Sequence, residues 1–196
     1  MKNASIVLFG DSYTAGRIPH TQTDGAFVKA LLGVHRDYAL SGSTAVQWAG
    51  DIDGRLSDVC DSPSDIAVGS LLGNDAFAAL ADGQITLDEA LPALAALALV
   101  LSRIALHKPV LLMLYPNPFM GVPAVHPESE QGVQRLNAAI SAVAQVVNSA
   151  SPCGPVMLLD LGTVLRTEHF DGLDIHPNEA GYQAMGAAVL DLIDRM

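Results

Sequence analysis

Five short apolar runs punctuate the chain: SIVLF (5–9), DYAL (37–40), DIAVGSLL (65–72), PVLLMLY (109–115) and PVMLLDL (155–161). Each is bordered by Gly, Pro, Asp or Asn, and short continuous apolar runs with such borders read as β-strands buried on both faces. The segments between them are rich in Ala, Leu, Gln and Glu. They predict helices over roughly 24–32, 44–58, 75–106 with a break near Ala81-Asp82-Gly83, 128–149 and 177–195. Strand then helix, repeated along the chain, is the pattern of a parallel sheet covered on both faces by helices with right-handed crossovers. The expected class is therefore α/β, a three-layer α/β/α sandwich on a five-stranded parallel sheet. The most apolar stretch, ALPALAALALVL (90–101), carries no charge but is 12 residues long. That is short of the roughly 20 a spanning helix needs, so it reads as a buried helix.

Length and composition sharpen this picture. At 196 residues the chain suits one domain, 1–196, with one core. Half of its residues are hydrophobic and 16% are charged, which excludes a disordered or collagen-like chain. Ten Lys and Arg stand against 21 Asp and Glu, a formal charge of −11 without any basic run, so nucleic acid and anionic membranes are repelled rather than bound. The opening MKNASIVLFG has neither a long apolar core nor a small-residue cleavage site, because the run Ile6 to Phe9 ends at Gly10-Asp11. The expectation is a cytoplasmic protein, or a secreted or periplasmic one from which a signal has been removed. Cys60 and Cys153 each stand ahead of a predicted strand, away from any motif, and are expected to be two buried thiols rather than a disulfide.

Ligands in open α/β sheets sit outside the carboxyl ends of the strands. After the first run comes Gly10-Asp11-Ser12-Tyr13-Thr14-Ala15-Gly16, where a serine in a tight turn can offer both its hydroxyl and its N–H to a cleft. After the second comes Ser41-Gly42-Ser43-Thr44, whose glycine permits close backbone approach to a ligand oxygen. After the third comes Gly73-Asn74-Asp75, with two amide donors on Asn74 and a helix-capping candidate in Asp75. After the fifth comes FDGLDIHPNEAGY (170–182), in which His176 precedes a proline suited to a first helical turn. Taken singly, each is an ordinary turn or cap. Together they set a nucleophile candidate, two oxyanion donors and a base candidate on one edge of the sheet.

In this order and spacing the chain resembles the SGNH, or GDSL-type, hydrolase family. FGDSYTAG is similar to its first block, LSGST to its second, GND to its third and HPNEAGY to its last. The resemblance implies Ser12 as nucleophile, the Ser12 and Gly42 N–H groups and the Asn74 amide as oxyanion hole, His176 as base, and a flavodoxin-like sheet. Two departures accompany it. The third block usually reads Gly-x-Asn-Asp, and here Leu72 holds the first place with Gly73 in the variable one. The last usually reads Asp-x-x-His, and the residue three before His176 is Leu173.

The acid partner therefore rests on geometry. Residues two apart in an extended segment project to one side with α-carbons about 6.6 Å apart, so an extended Asp174-Ile175-His176 brings Asp174 to the ring. Asp171 reaches only if Gly172-Leu173 folds the chain back. Asp174 is favoured and Asp171 is the alternative acid.

The reading is a serine esterase for carboxylic, short-acyl esters that works through an acyl-serine and needs no cofactor or metal. Carbohydrate O-acetylesterase and thioesterase are close alternatives. A flavodoxin-like phosphate or nucleotide-binding module competes from another class, but GDSYTAG lacks phosphate-loop spacing and the next cation is Arg17. A metallohydrolase built on His126 and His169 lacks compact ligand spacing. Tyr13, Trp48, Phe77, Tyr115 and Phe119 are either pocket walls or core, and 116–127, with its four prolines, is a candidate lid. The expected partner is a small-molecule ester, with no membrane span; oligomeric state is open.

Overall fold

The computed structural model describes residues 4–31, 34–76, 87–117, 127–150, 153–172 and 174–196. Five parallel strands form one sheet: β1 (Ile6–Gly10), β2 (Val34–Asp37), β3 (Ile66–Ser70), β4 (Val110–Leu114) and β5 (Val156–Asp160), in the order β2-β1-β3-β4-β5. That order is the flavodoxin-like one. β1, β3 and β4 are buried along their whole length, because each is flanked by strands and covered on both faces, and their sequences IVLFG, IAVGS and VLLML reflect it, with Ser70 the one polar side chain among them.

The helices are α1 (Ser12–Ala15), α2 (Ala26–Ala30), α3 (Ala45–Ala49), α4 (Arg55–Asp61), α5 (Leu87–Ala105), α6 (Pro127–Ala150) and α7 (Glu179–Asp194), with residues 73–76 also helical. They pack in two groups. α1 and α2 join α7 on one face, while α3, α4 and α6 gather round α5 on the other. Lys108 is buried between β4 and the end of α4, where its ammonium donates to the Val59 and Ser62 carbonyls at 2.7 and 2.6 Å. These are acceptors that the helix cannot satisfy itself.

Four expectations need correction. β2 is VHRD, not DYAL, because it is an edge strand paired to β1 alone and three of its four side chains are exposed. The ladder does continue past it, with the Tyr38 and Leu40 N–H groups donating to Leu8 and Gly10 at 3.0 and 2.8 Å. Only one side of α5 is buried (Leu97, Val100, Leu101, Ile104), while Leu91 and Leu99 are half exposed. Cys60 is a buried thiol within α4, but Cys153 is exposed; both are free. Pro177 lies before α7 rather than in its first turn, bridged to Phe170, with Asn178 as N-cap. The predicted break at 81–83 and most of the candidate lid lie outside the described residues. No helix among the described residues is long and apolar enough to cross a membrane.

Candidate active site

Ser12 opens α1 directly beyond the carboxyl end of β1. Asp11 is its N-cap and accepts the Tyr13 N–H at 3.1 Å, so the turn that lifts Ser12 above the sheet is held by the residue before it. The Ser12 N–H lies in the first turn of the helix, where no intrahelical acceptor exists.

His176 stands against Ser12. Its Nε2 lies 2.9 Å from the Ser12 Oγ, and its Nδ1 lies 2.8 Å from Asp174 Oδ1. With the carboxylate on Nδ1, that nitrogen carries the proton and Nε2 accepts from the serine hydroxyl. The approach is not by an extended segment as expected: the chain bends at Ile175 and His176, and the same Oδ1 accepts the His176 backbone N–H at 2.9 Å. One carboxylate oxygen thus fixes both the turn and the ring. Burial acts to raise the Asp174 carboxyl, but the His176 N–H, its ring hydrogen bond and its charge outweigh that and hold it below the usual carboxylate range. Asp171 points elsewhere, accepting from Asn178 Nδ2 at 3.1 Å with His20 Nε2 at 3.5 Å.

The two other loops meet each other at the carboxyl end of β1. Gly42 has φ +80, a conformation costly to a residue with a side chain, while a β-carbon there would touch nothing, so backbone geometry and not space is what the glycine provides. Asn74 donates through Nδ2 to the Ser43 carbonyl at 2.8 Å. That uses one of its two amide protons. Asp75 does not simply cap its own helix: it reaches across to accept the Ala45 N–H at 2.8 Å, while Thr44 caps α3 in a box with Gln47. The Ser43 hydroxyl donates to Gly10 at 3.1 Å and accepts from Trp48 Nε1 at 2.9 Å, tying this loop to the end of β1.

Beneath the site lies a polar network that the sequence reading missed. Asp11 is buried and accepts from the Ser70 hydroxyl at 2.7 Å and from the Tyr115 hydroxyl, and Tyr115 in turn accepts the Gly73 N–H at 2.9 Å. Thr14 Oγ1 lies 2.8 Å from Ser70 Oγ and accepts the Ser70 N–H at 2.7 Å. Burial raises the Asp11 carboxyl, the hydrogen bonds of Tyr115, Ser70 and the Tyr13 N–H oppose it, and the balance lies at about 6. Tyr13 donates to the Ile175 carbonyl at 2.5 Å, with its ring centroid 5.9 Å from that of His176. The Ser12 turn is thereby tied to the histidine loop. Ser70, a serine inside a strand buried on both faces, was the available signal; Tyr13 and Tyr115 are core by burial, as is Trp48, whereas Phe77 and Phe119 lie outside the described residues.

Arg17, the nearest cation in sequence to the first loop, pairs with Gln22 and Asp24. No group of three or more His, Cys, Asp or Glu among the described residues is arranged to hold a metal ion, and His126 is not among them.

Comparison with known structures returns the same architecture. A lipolytic protein of the G-D-S-L family from Veillonella parvula superposes with a TM-score of 0.67 at 19% identity, covering 98% of this chain and 99% of that one. An aryl esterase from M. smegmatis gives 0.67 at 19%, covering 98% and 99%. An acetylxylan esterase from Geobacillus stearothermophilus gives 0.64 at 18%, covering 98% and 96%. No curated protein sequence matches. The model of the GDSL-like lipase/acylhydrolase family matches residues 8–184, and the chain belongs to that family.

Proposed function

We propose that the protein hydrolyses short-acyl carboxylic esters through an acyl-enzyme on Ser12. The observation that carries this reading is the continuous chain Ser12 Oγ, His176 Nε2, His176 Nδ1, Asp174 Oδ1, with links of 2.9 and 2.8 Å. A serine hydroxyl is a weak nucleophile at neutral pH; a histidine at hydrogen-bond distance takes its proton as it attacks the ester carbonyl. Asp174 keeps that proton-accepting nitrogen facing Ser12 and stabilises the imidazolium that forms. The imidazolium then protonates the leaving alcohol, and the acyl-serine remains. Water, deprotonated by the same histidine, attacks the acyl carbonyl and restores Ser12.

In both steps the carbonyl oxygen gains negative charge. The Ser12 and Gly42 N–H groups and the remaining amide proton of Asn74 are assigned to hold it; losing one such donor typically lowers turnover by about 10²–10³. The second loop is well suited to this because Asn74 and Asp75 pin it just after Gly42, at Ser43 and Ala45, so its donor is set before substrate arrives.

The acyl part is assigned as short. The likeness to an acetylxylan esterase and to a carbohydrate acetylesterase from Sinorhizobium meliloti supports an acetyl ester of a sugar as a specific candidate. A series of p-nitrophenyl esters from acetyl to palmitoyl tests the assignment. kcat/KM is expected to fall by more than about 10-fold between acetyl and octanoyl, since unaccommodated methylenes forfeit binding. A rise toward palmitoyl sinks the short-acyl assignment.

A further inference from the structure

We propose that Tyr115 is a positioning residue for Asn74, acting through the backbone of Gly73. The inference rests on Asn74 being an oxyanion donor.

Asn74 is borne on an unusual turn. Leu72, where the family pattern has glycine, is buried and has φ +109, a backbone conformation that disfavours any residue with a side chain. A turn of this kind persists only when its surroundings enforce it. Two contacts from Tyr115, on the adjacent β4 end, do so. Its hydroxyl accepts the Gly73 N–H at 2.9 Å, fixing the peptide between Leu72 and Gly73. Its ring occupies the space a side chain at residue 73 would need, since a β-carbon there would lie 2.9 Å from the ring. The shift of the glycine by one place in this chain thus has a physical reason: residue 73 must be small because Tyr115 abuts it.

Tyr115 is itself held rigidly. Its hydroxyl donates to the buried Asp11 carboxylate, which also caps the helix that bears Ser12. Its backbone is clamped by Asn137, which accepts the Tyr115 N–H at 3.0 Å and donates to its carbonyl at 2.7 Å. Its ring packs edge-on against Tyr13, the residue after Ser12, with centroids 5.4 Å apart. Asp11 and Tyr115 therefore set the nucleophile turn and the Asn74 turn on one common support, which keeps the distance between Ser12 and the oxyanion donor fixed through the reaction.

The test is a double-mutant cycle on p-nitrophenyl acetate hydrolysis, with kcat counted per active site titrated by a serine-directed phosphonate so that unfolded protein does not enter. Tyr115→Phe keeps the ring and removes only the hydroxyl. It is expected to lower kcat about 10-fold with KM within about 2-fold, because a donor displaced by a fraction of an ångström loses its hold on the transition state more than on the substrate. In the Asn74→Ala background the same change should alter kcat by less than about 2-fold, since the group it positions is gone. An equal loss in both backgrounds, or no loss in either, overturns the role of Tyr115 while leaving Asn74 as a donor. Should Asn74→Ala by itself leave kcat unchanged, the oxyanion assignment falls, and the role of Tyr115 falls with it.

Discussion

Ser12→Ala and His176→Ala are each expected to lower kcat on p-nitrophenyl acetate by about 10⁴-fold or more, with KM little changed. The two losses should be nearly equal and the double variant no worse, because serine and histidine act as one unit: an unactivated hydroxyl and a base without a hydroxyl are both idle. The structural cost is small. The Ser12 hydroxyl bonds to His176 Nε2, and the histidine loop stays anchored by the Phe170–Pro177 bridge, the Asn178 cap and the Tyr13 hydroxyl. Circular dichroism and Tm should therefore stay close to those of the parent. A Ser12→Ala enzyme within about 10-fold of parent kcat would place the reaction on a water molecule and not on an acyl-serine.

The second large effect separates the two aspartates. Asp174→Ala should lower kcat by about 10³–10⁴-fold, because the imidazolium loses its counter-charge and the ring its tautomer and orientation. Asp174→Asn should lose less. Both His176 bonds fall on a single carboxylate oxygen, so an amide can set its own oxygen in that place, keeping the Nδ1 proton and losing only the charge. Asp171→Asn should leave kcat within about 2-fold, as Asp171 serves Asn178 and His20 at the surface and does not contact the reacting groups. Comparable losses at both positions, or a larger one at Asp171, would refute this ordering, and kinetics of the three variants side by side decide it.

How far the sequence revealed this arrangement varied with the kind of interaction. Continuous apolar runs located β1, β3, β4 and β5 because those strands are apolar but for Ser70 at the end of β3 and Asp160 at the end of β5. The same rule misplaced β2, since an edge strand with exposed His35, Arg36 and Asp37 carries no apolar run. Ser12, Gly42, Asn74 and His176 were legible as positions after strands, for a parallel sheet brings all its carboxyl ends to one side. Asp174 was chosen by spacing, though by an extended geometry where the chain in fact bends.

What remained hidden were contacts between side chains far apart in sequence. Nothing local indicates that Asp75 reaches Ala45, or that Tyr115 joins Asp11 to Gly73 across separations of 104 and 42 residues. The left-handed Leu72 was equally hidden, because a leucine announces burial and not backbone conformation. Such features become visible only once the packing is known, and they lie at the turns that bear Ser12 and Asn74, where structure is shaped by more than local preference.

The most direct measurement is the intact mass of the protein after exposure to a serine-directed phosphonate, followed by peptide mapping. A single adduct on Ser12 is expected, formed in Asp171→Asn as in the parent and suppressed in His176→Ala. No adduct, an adduct on another residue, or undiminished labelling in His176→Ala would contradict a nucleophilic Ser12 activated by His176.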